Sequence, residues 1–198
     1  MPDAAFLVDG VMEQRIIARL CPNRPVRRIE CNGHDVALEA IVERLDLHIR
    51  NMSNRYHPII ILIDRETRRD SCEEIVAGLR TLLNAKGHGD QCIIGVVDRC
   101  IENWILADWE NAIKKLQIEA RPLEGECEGV QGKSVLKRLL PDDILYHEPT
   151  WGKDLFLACD AANIYAKSPS FRNFVDQLQL PCHWLGEVED RFRPPPHE

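Results

Sequence analysis

Four short aliphatic runs punctuate the first half of the chain, and amphipathic stretches separate them. AAFLV (4–8), IIILI (59–63) and CIIGVV (92–97) are continuously apolar, as strands covered on both faces are, whereas VRRIE (26–30) alternates. Between the runs, apolar residues recur at three- and four-residue steps. They fall at 12, 16, 17 and 20 within VMEQRIIARLC (11–21), and at 38, 41, 42, 45 and 49 within DVALEAIVERLDLHIRNM (35–52). Such steps put them on one helical face. SCEEIVAGLRTLLNAKG (71–87) predicts a helix with Ser71 and Glu74 at capping-box spacing and Gly87 as its stop. IENWILADWENAIKKL (101–116) predicts one continuous helix, and Asn32-Gly33 predicts a turn.

Strand and helix therefore alternate four times. That order predicts an α/β fold: a mainly parallel, Rossmann-like sheet with helices on both faces. The remainder reads differently. RPLEGECEGVQG (121–132) is acidic and glycine-rich and predicts a loop. GKSVLKRLLP (132–141), GKDLFLACDAANIYA (152–166) and SPSFRNFVDQLQ (168–179) predict three helices. The expected organisation is an α/β core over 1–118, a C-terminal helical extension packed on it over 119–190, and a flexible tail over 191–198.

Composition narrows the field. A chain of 198 residues, 44% hydrophobic and 29% charged, suits one globular domain. A net charge of −7 argues against coating nucleic acid by charge alone. No apolar run approaches the roughly 18 residues of a membrane span, and MPDAAFLVDG has no signal-peptide pattern. The eight cysteines include no CxxC pair, and Cys182-His183 lacks zinc-finger spacing. Reduced, buried thiols and a cytoplasmic location are expected.

In parallel sheets, functional groups gather at the carboxyl ends of strands. Asp9, Asp64, Glu66 and Asp98 all follow predicted strands, with Glu13 one helical turn past Asp9. Taken singly, each acid reads first as a solvated or capping residue, and Glu13 as a first-turn Glu favoured by the helix dipole. Their recurrence on one edge is what points to a site. If the first and third strands are neighbours, Asp9, Glu13, Asp64 and Glu66 converge on one pocket. Hard carboxylate oxygens in that number suit Mg²⁺ or Mn²⁺ and metal-dependent attack on a phosphodiester. Glu102, in the first turn after the fourth strand, can point toward the same pocket. Arg65, flanked by both acids, and Arg68 and Arg69 just beyond, are candidate nucleic-acid contacts; neutralising the acidic pocket is the alternative for Arg65, and a solvated loop for the last two. Lys133, Lys137 and Arg138 form a basic patch. Trp104 reads as core. No P-loop is present, so no ATP hydrolysis by this chain is expected.

DGVME (9–13) and DRE (64–66) resemble the Toprim pattern of topoisomerases, primases and OLD-type nucleases: an acid followed by Gly after strand one, and DxD after strand three. More closely, DGVME, IDRE, IENWILAD (101–108) and KSPSF (167–171) resemble, in order, motifs of the bacterial domain-of-unknown-function family 4276, a Toprim-like group. The likeness runs from about residue 5 to 180. Three positions depart from the pattern: Asp9 stands for Glu, Met12 for Thr, and Glu66 for the second Asp. The resemblance implies a Mg²⁺-dependent nuclease acting on DNA or RNA, the effector of an anti-phage system with an AAA/ABC-type ATPase partner, and, because relatives carry a Lys in this region, Lys133 as the favoured phosphate contact. The departures leave open a catalytically degenerate subunit that binds and regulates that ATPase. A nucleotide-binding regulator is a third expectation.

Overall fold

The computed structural model describes residues 4–31 and 36–178. The expected turn at Asn32-Gly33, the first residue of the 35–52 segment, Cys182-His183 and the 191–198 tail lie outside the described residues.

Four strands, β1 (Ala5–Val8), β2 (Val26–Arg28), β3 (Ile59–Asp64) and β4 (Cys92–Val97), form one sheet in the order β2-β1-β3-β4. Every pairing is parallel, with Val8 opposite Leu62 and Asp64 opposite Val97. The helices between them are α1 (Val11–Leu20), α2 (Leu38–Met52) and α3 (Cys72–Ala85). Both halves of the Ser71–Glu74 capping box form, and Gly87 takes φ +81° just past α3.

The continuous apolar runs are explained by two apolar layers. Ala5, Leu7, Ile59, Ile61 and Ile63 face the side covered by α2 and α3. Phe6, Val8, Ile60 and Leu62 face the side covered by α1 and by everything after β4. The fold is thus the expected α/β sheet with helices on both faces, followed by C-terminal helices. Those C-terminal helices complete the second layer and share its core.

After β4 the chain is more broken than periodicity predicts. The 101–116 segment forms α4 (Glu102–Ala107) and α5 (Trp109–Leu116), and the 152–166 segment forms α7 (Lys153–Ala158) and α8 (Ala161–Lys167). α6 is Gly132–Leu139 and α9 is Pro169–Val175. One buried residue accounts for both breaks. The Asp108 carboxylate accepts hydrogen bonds from Asp160 N at 2.6 Å, Asn163 Nδ2 at 2.9 Å and Asn111 Nδ2 at 3.1 Å. A continuous helix would point Asp108 elsewhere and leave a buried charge unpaired. Asp160 in turn caps α8, accepting from Ala162 N at 2.8 Å.

Trp104 is core, as expected. Its Nε1 donates to Ser170 Oγ at 2.8 Å, and Phe171 meets it edge-on at 4.9 Å between ring centroids. Phe174 stacks on Trp104 at 6.0 Å and lies across Gly95 of β4. A Cβ at Gly95 would fall 2.9 Å from Phe174 Cγ. Gly95→Ala is therefore expected to cost about 1–3 kcal/mol by overpacking. Chemical denaturation of the variant checks this; an unchanged midpoint would mean that α9 yields freely. Among the described residues, no helix is long and apolar enough to cross a membrane.

Candidate functional site

β1 leads through α1 to β2 on one side of the sheet, and β3 leads through α3 to β4 on the other. Where neighbouring strands send their connections apart, a crevice opens at their carboxyl ends. Here it is a cleft of about 570 Å³, and Asp9, Glu13, Asp64, Glu66 and Glu102 all line it. A smaller cavity of about 50 Å³, lined by side chains such as Phe6, Ile60, Trp104 and Phe174, holds no carboxylate.

Each acid is held by local structure. Asp9 N donates to Leu62 O at 3.2 Å, which fixes the end of β1 to β3. Glu13, one turn into α1, folds back so that the Gly10 and Glu13 backbone N–H groups donate to its carboxylate. A Cβ at position 10 would collide with Glu13 Oε2. Gly10 has φ −115° and ψ 178°, which any residue adopts, so glycine serves there as space. Asp64 ends β3 with Oδ1 buried and without a hydrogen-bond partner among the described residues.

Glu66 sits in the left-handed region at φ +56°, and so does Arg99 after β4 at φ +60°. The two hold each other. Glu66 N donates to Arg99 O at 2.8 Å, and Arg99 Nη1 donates to Glu66 O at 2.9 Å. Non-glycine residues keep such conformations only when their surroundings enforce them. Glu102 is 3% exposed, and its Oε1 accepts from the Tyr146 hydroxyl at 2.9 Å.

The basic candidates divide. Lys133, in the first turn of α6, lines the cleft and pairs with Glu148 at its rim. Arg65, Arg68 and Arg69 are not among the residues lining it. Arg65 pairs with the buried carboxylate of Asp98, which also accepts from Gly129 N. That contact takes Asp98 into structural service as well. Arg68 donates to the carbonyls of Asp64, Arg65 and Val36 at 3.2, 3.1 and 2.8 Å, and lies 4.0 Å from Glu66 Oε2. Arg69 is exposed on the same turn. Arg99 and Tyr146 were not foreseen. Arg99 follows a strand like the acids do, a usable signal, whereas Tyr146 lies in an irregular segment with none.

Like charges crowded at low solvent access favour protons. Burial first, and then the Glu66 charge, raises Asp9 above the usual carboxylate range. Burial, with Glu102 and Asp9 nearby, pushes Glu13 up to about 7. Asp64 is raised well above its ordinary value by burial and by the surrounding acids, Glu13 foremost. Burial raises the Cys31 and Cys100 thiols at the cleft wall too, so they stay protonated.

That leaves carboxylate oxygen as the donor set, which suits Mg²⁺ or Mn²⁺ rather than zinc. Among the described residues, no three His, Cys, Asp or Glu side chains are already disposed around one ion. Magnesium needs fewer, because one or two carboxylates, water and a substrate phosphate complete its shell. The buried, unpartnered Asp64 Oδ1 and the mutual repulsion of its neighbours fit such a cation.

No curated protein and no solved structure significantly matches the chain. Residues 8–179 match a family model described as Domain of unknown function (DUF4276), and with that share of the chain covered, the protein belongs to this family.

Proposed function

We propose that the protein is a divalent-cation-dependent, Toprim-like phosphodiesterase acting on nucleic acid, related to OLD-type nucleases. The observation that carries this reading is Asp64: a strand-end carboxylate with one oxygen buried and unpartnered, among acids that raise its proton affinity. Such an arrangement is costly for folding. A site that binds a cation and a phosphate gives it a use.

In the proposed mechanism Asp64 and Asp9 hold Mg²⁺ or Mn²⁺, with Glu13 and Glu66 setting the charge around them. The cation, when bound, supplies a Lewis acid for the phosphoryl oxygens. Lys133 and Arg99, the cleft's basic side chains, orient the phosphate from the rim. For Lys133 this requires release from Glu148 as the anionic phosphate enters. The role in anti-phage defence beside an AAA/ABC-type ATPase belongs to the same proposal and rests on the motif resemblance alone.

The test is calorimetric titration with Mn²⁺ and Mg²⁺, followed by cleavage assays on DNA and RNA. Wild-type protein is expected to bind, and the Asp64→Ala/Glu66→Ala variant to lose binding and at least about a hundredfold of cleavage. Equal cleavage by both proteins would sink the reading. A second reading, a degenerate subunit that regulates the ATPase, draws on the lack of three pre-arranged metal-binding side chains among the described residues. Cation-independent binding to the ATPase, with no cleavage in the complex, would select it.

A further inference from the structure

We propose that Glu102 is the proton acceptor of this site rather than a cation ligand, and that Tyr146 is the residue that positions it. The inference rests on the phosphodiesterase reading and assigns roles within it.

Glu102 and Tyr146 form a buried pair at 2.9 Å, joining the first turn of α4 to an irregular segment 44 residues later. Their places relative to the cleft divide the roles. Glu102 lines the cleft, whereas Tyr146 is not among the lining residues. The hydroxyl therefore lies behind the carboxylate and does not face an incoming phosphate. It is a donor to Glu102, not a nucleophile. Burial and the Glu102 charge hold the phenol proton far more tightly than usual, so the donor persists across the physiological range. The Cys100 thiol at the cleft wall also bonds the Glu102 carboxylate, so two donors fix how it faces the cleft.

The segment carrying Tyr146 is fastened on both sides. Arg15 Nη1 donates to Pro149 O at 3.0 Å, and Lys133 pairs with Glu148. Gly152 supplies the room: a Cβ there would lie 2.7 Å from the Tyr146 hydroxyl and would collide with Met12. Part of the helical C-terminal region thus serves as a buttress behind an acid of the α/β core.

In the reaction an O–H bond of the attacking water breaks and its proton passes to the Glu102 carboxylate. The water oxygen forms the new P–O bond, and the P–O bond to the leaving oxygen breaks. That oxygen departs with its electron pair and takes a proton from solvent. A carboxylate held in orientation by buried donors while it lines the cleft is placed for this transfer.

The experiment compares wild type, Glu102→Gln, Tyr146→Phe and the double variant, reading Mn²⁺ affinity by calorimetry and kcat and KM on a labelled oligonucleotide. Mn²⁺ affinity is expected to stay within about twofold in all of them, because neither side chain ligates. Turnover is expected to fall about a hundredfold in Glu102→Gln and about tenfold in Tyr146→Phe, with KM unchanged. The double variant is expected to be no worse than Glu102→Gln alone. Gly152→Ala, which pushes on the hydroxyl without removing it, is expected to repeat the turnover loss at unchanged Mn²⁺ affinity. Tenfold weaker Mn²⁺ binding in Glu102→Gln would make Glu102 a ligand and overturn the inference. Wild-type turnover in both Tyr146→Phe and Gly152→Ala would overturn it too, leaving the phosphodiesterase reading intact. Wild-type protein that binds Mn²⁺ but cleaves no nucleic acid would overturn both.

Discussion

Asp64→Asn is expected to raise the melting temperature of the metal-free protein at pH 8 and to remove its response to Mn²⁺. Both effects come from one carboxylate. When ionised, Asp64 carries an unpartnered buried oxygen and faces the charges of Glu13, Asp9, Glu102 and Glu66. Asn has the same shape and no charge, and its amide N–H groups can donate to those acids. Relief of a buried like-charge contact is expected to add about 1–3 kcal/mol, since an unpaired buried group costs on that order. For a chain of this length that is a rise of roughly 3–10 °C.

The same change removes the best-placed oxygen for a cation. Wild-type protein at a hundredfold excess of Mn²⁺ over its Kd gains about 2.7 kcal/mol by linkage, and the variant is expected to gain almost none. Thermal melts with EDTA and with Mn²⁺ separate the two effects. A variant less stable than wild type in EDTA would mean that Asp64 is already compensated, and the cation argument would lose its basis. Stability gained where function is lost is the usual sign of a strained functional group.

The strands and the acidic edge were readable because they depend on local patterns. IIILI is continuously apolar because Ile59, Ile61 and Ile63 face one helical layer while Ile60 and Leu62 face the other. Its run ends at Asp64 because the sheet ends there at a crevice. The neighbouring of β1 and β3, on which convergence of the acids depends, follows from the strand order. The breaks at Asp108 and Asp160 were hidden because their cause is a buried carboxylate with partners about fifty residues away. Apolar periodicity is blind to such a contact.

The contacts of the arginines of DRETRR are hidden from the sequence for a related reason. Beside two acids they suggest phosphate contacts, but Arg65 serves Asp98 and Arg68 serves backbone carbonyls of the turn. Sequence proximity to an acidic site does not distinguish a cation aimed into the cleft from one that braces its wall. Tyr146 escaped notice for the converse reason. It reaches Glu102 only after the chain has passed through α4, α5 and α6.

The metal-free protein is also expected to lose stability as pH rises from about 4.5 to 7, opposite to the usual behaviour of paired carboxylates. Glu13 carries the argument. Its ordinary value is 4.5, and in the folded protein it stands at about 7. Below 4.5 the group is protonated whether the chain is folded or not, and its contribution to stability is fully present. Between the two values the folded protein keeps a proton that the unfolded chain releases, so rising pH favours unfolding. Above about 7 both states are ionised and the contribution is gone. Asp9 and Asp64, also raised, act with the same sign from 3.8 upward. The full Glu13 contribution is on the order of 3 kcal/mol. Asp46, lowered by His88 and Arg50, acts oppositely, but its loss falls below 3.8 and outside this window; His48, lowered from 6.5 chiefly by burial, opposes the fall inside the window, one group against the three acids. Urea denaturation between pH 5 and 8 reads the slope directly. In EDTA, stability is expected to fall across that range, and Asp64→Asn to flatten the fall. With saturating Mn²⁺ the slope is expected to reverse, because the cation binds the ionised cluster and competes with its protons. A wild-type profile that rises with pH in EDTA would show that the acids are already compensated without a cation, and that Glu13 and Asp64 ionise as ordinary surface carboxylates do.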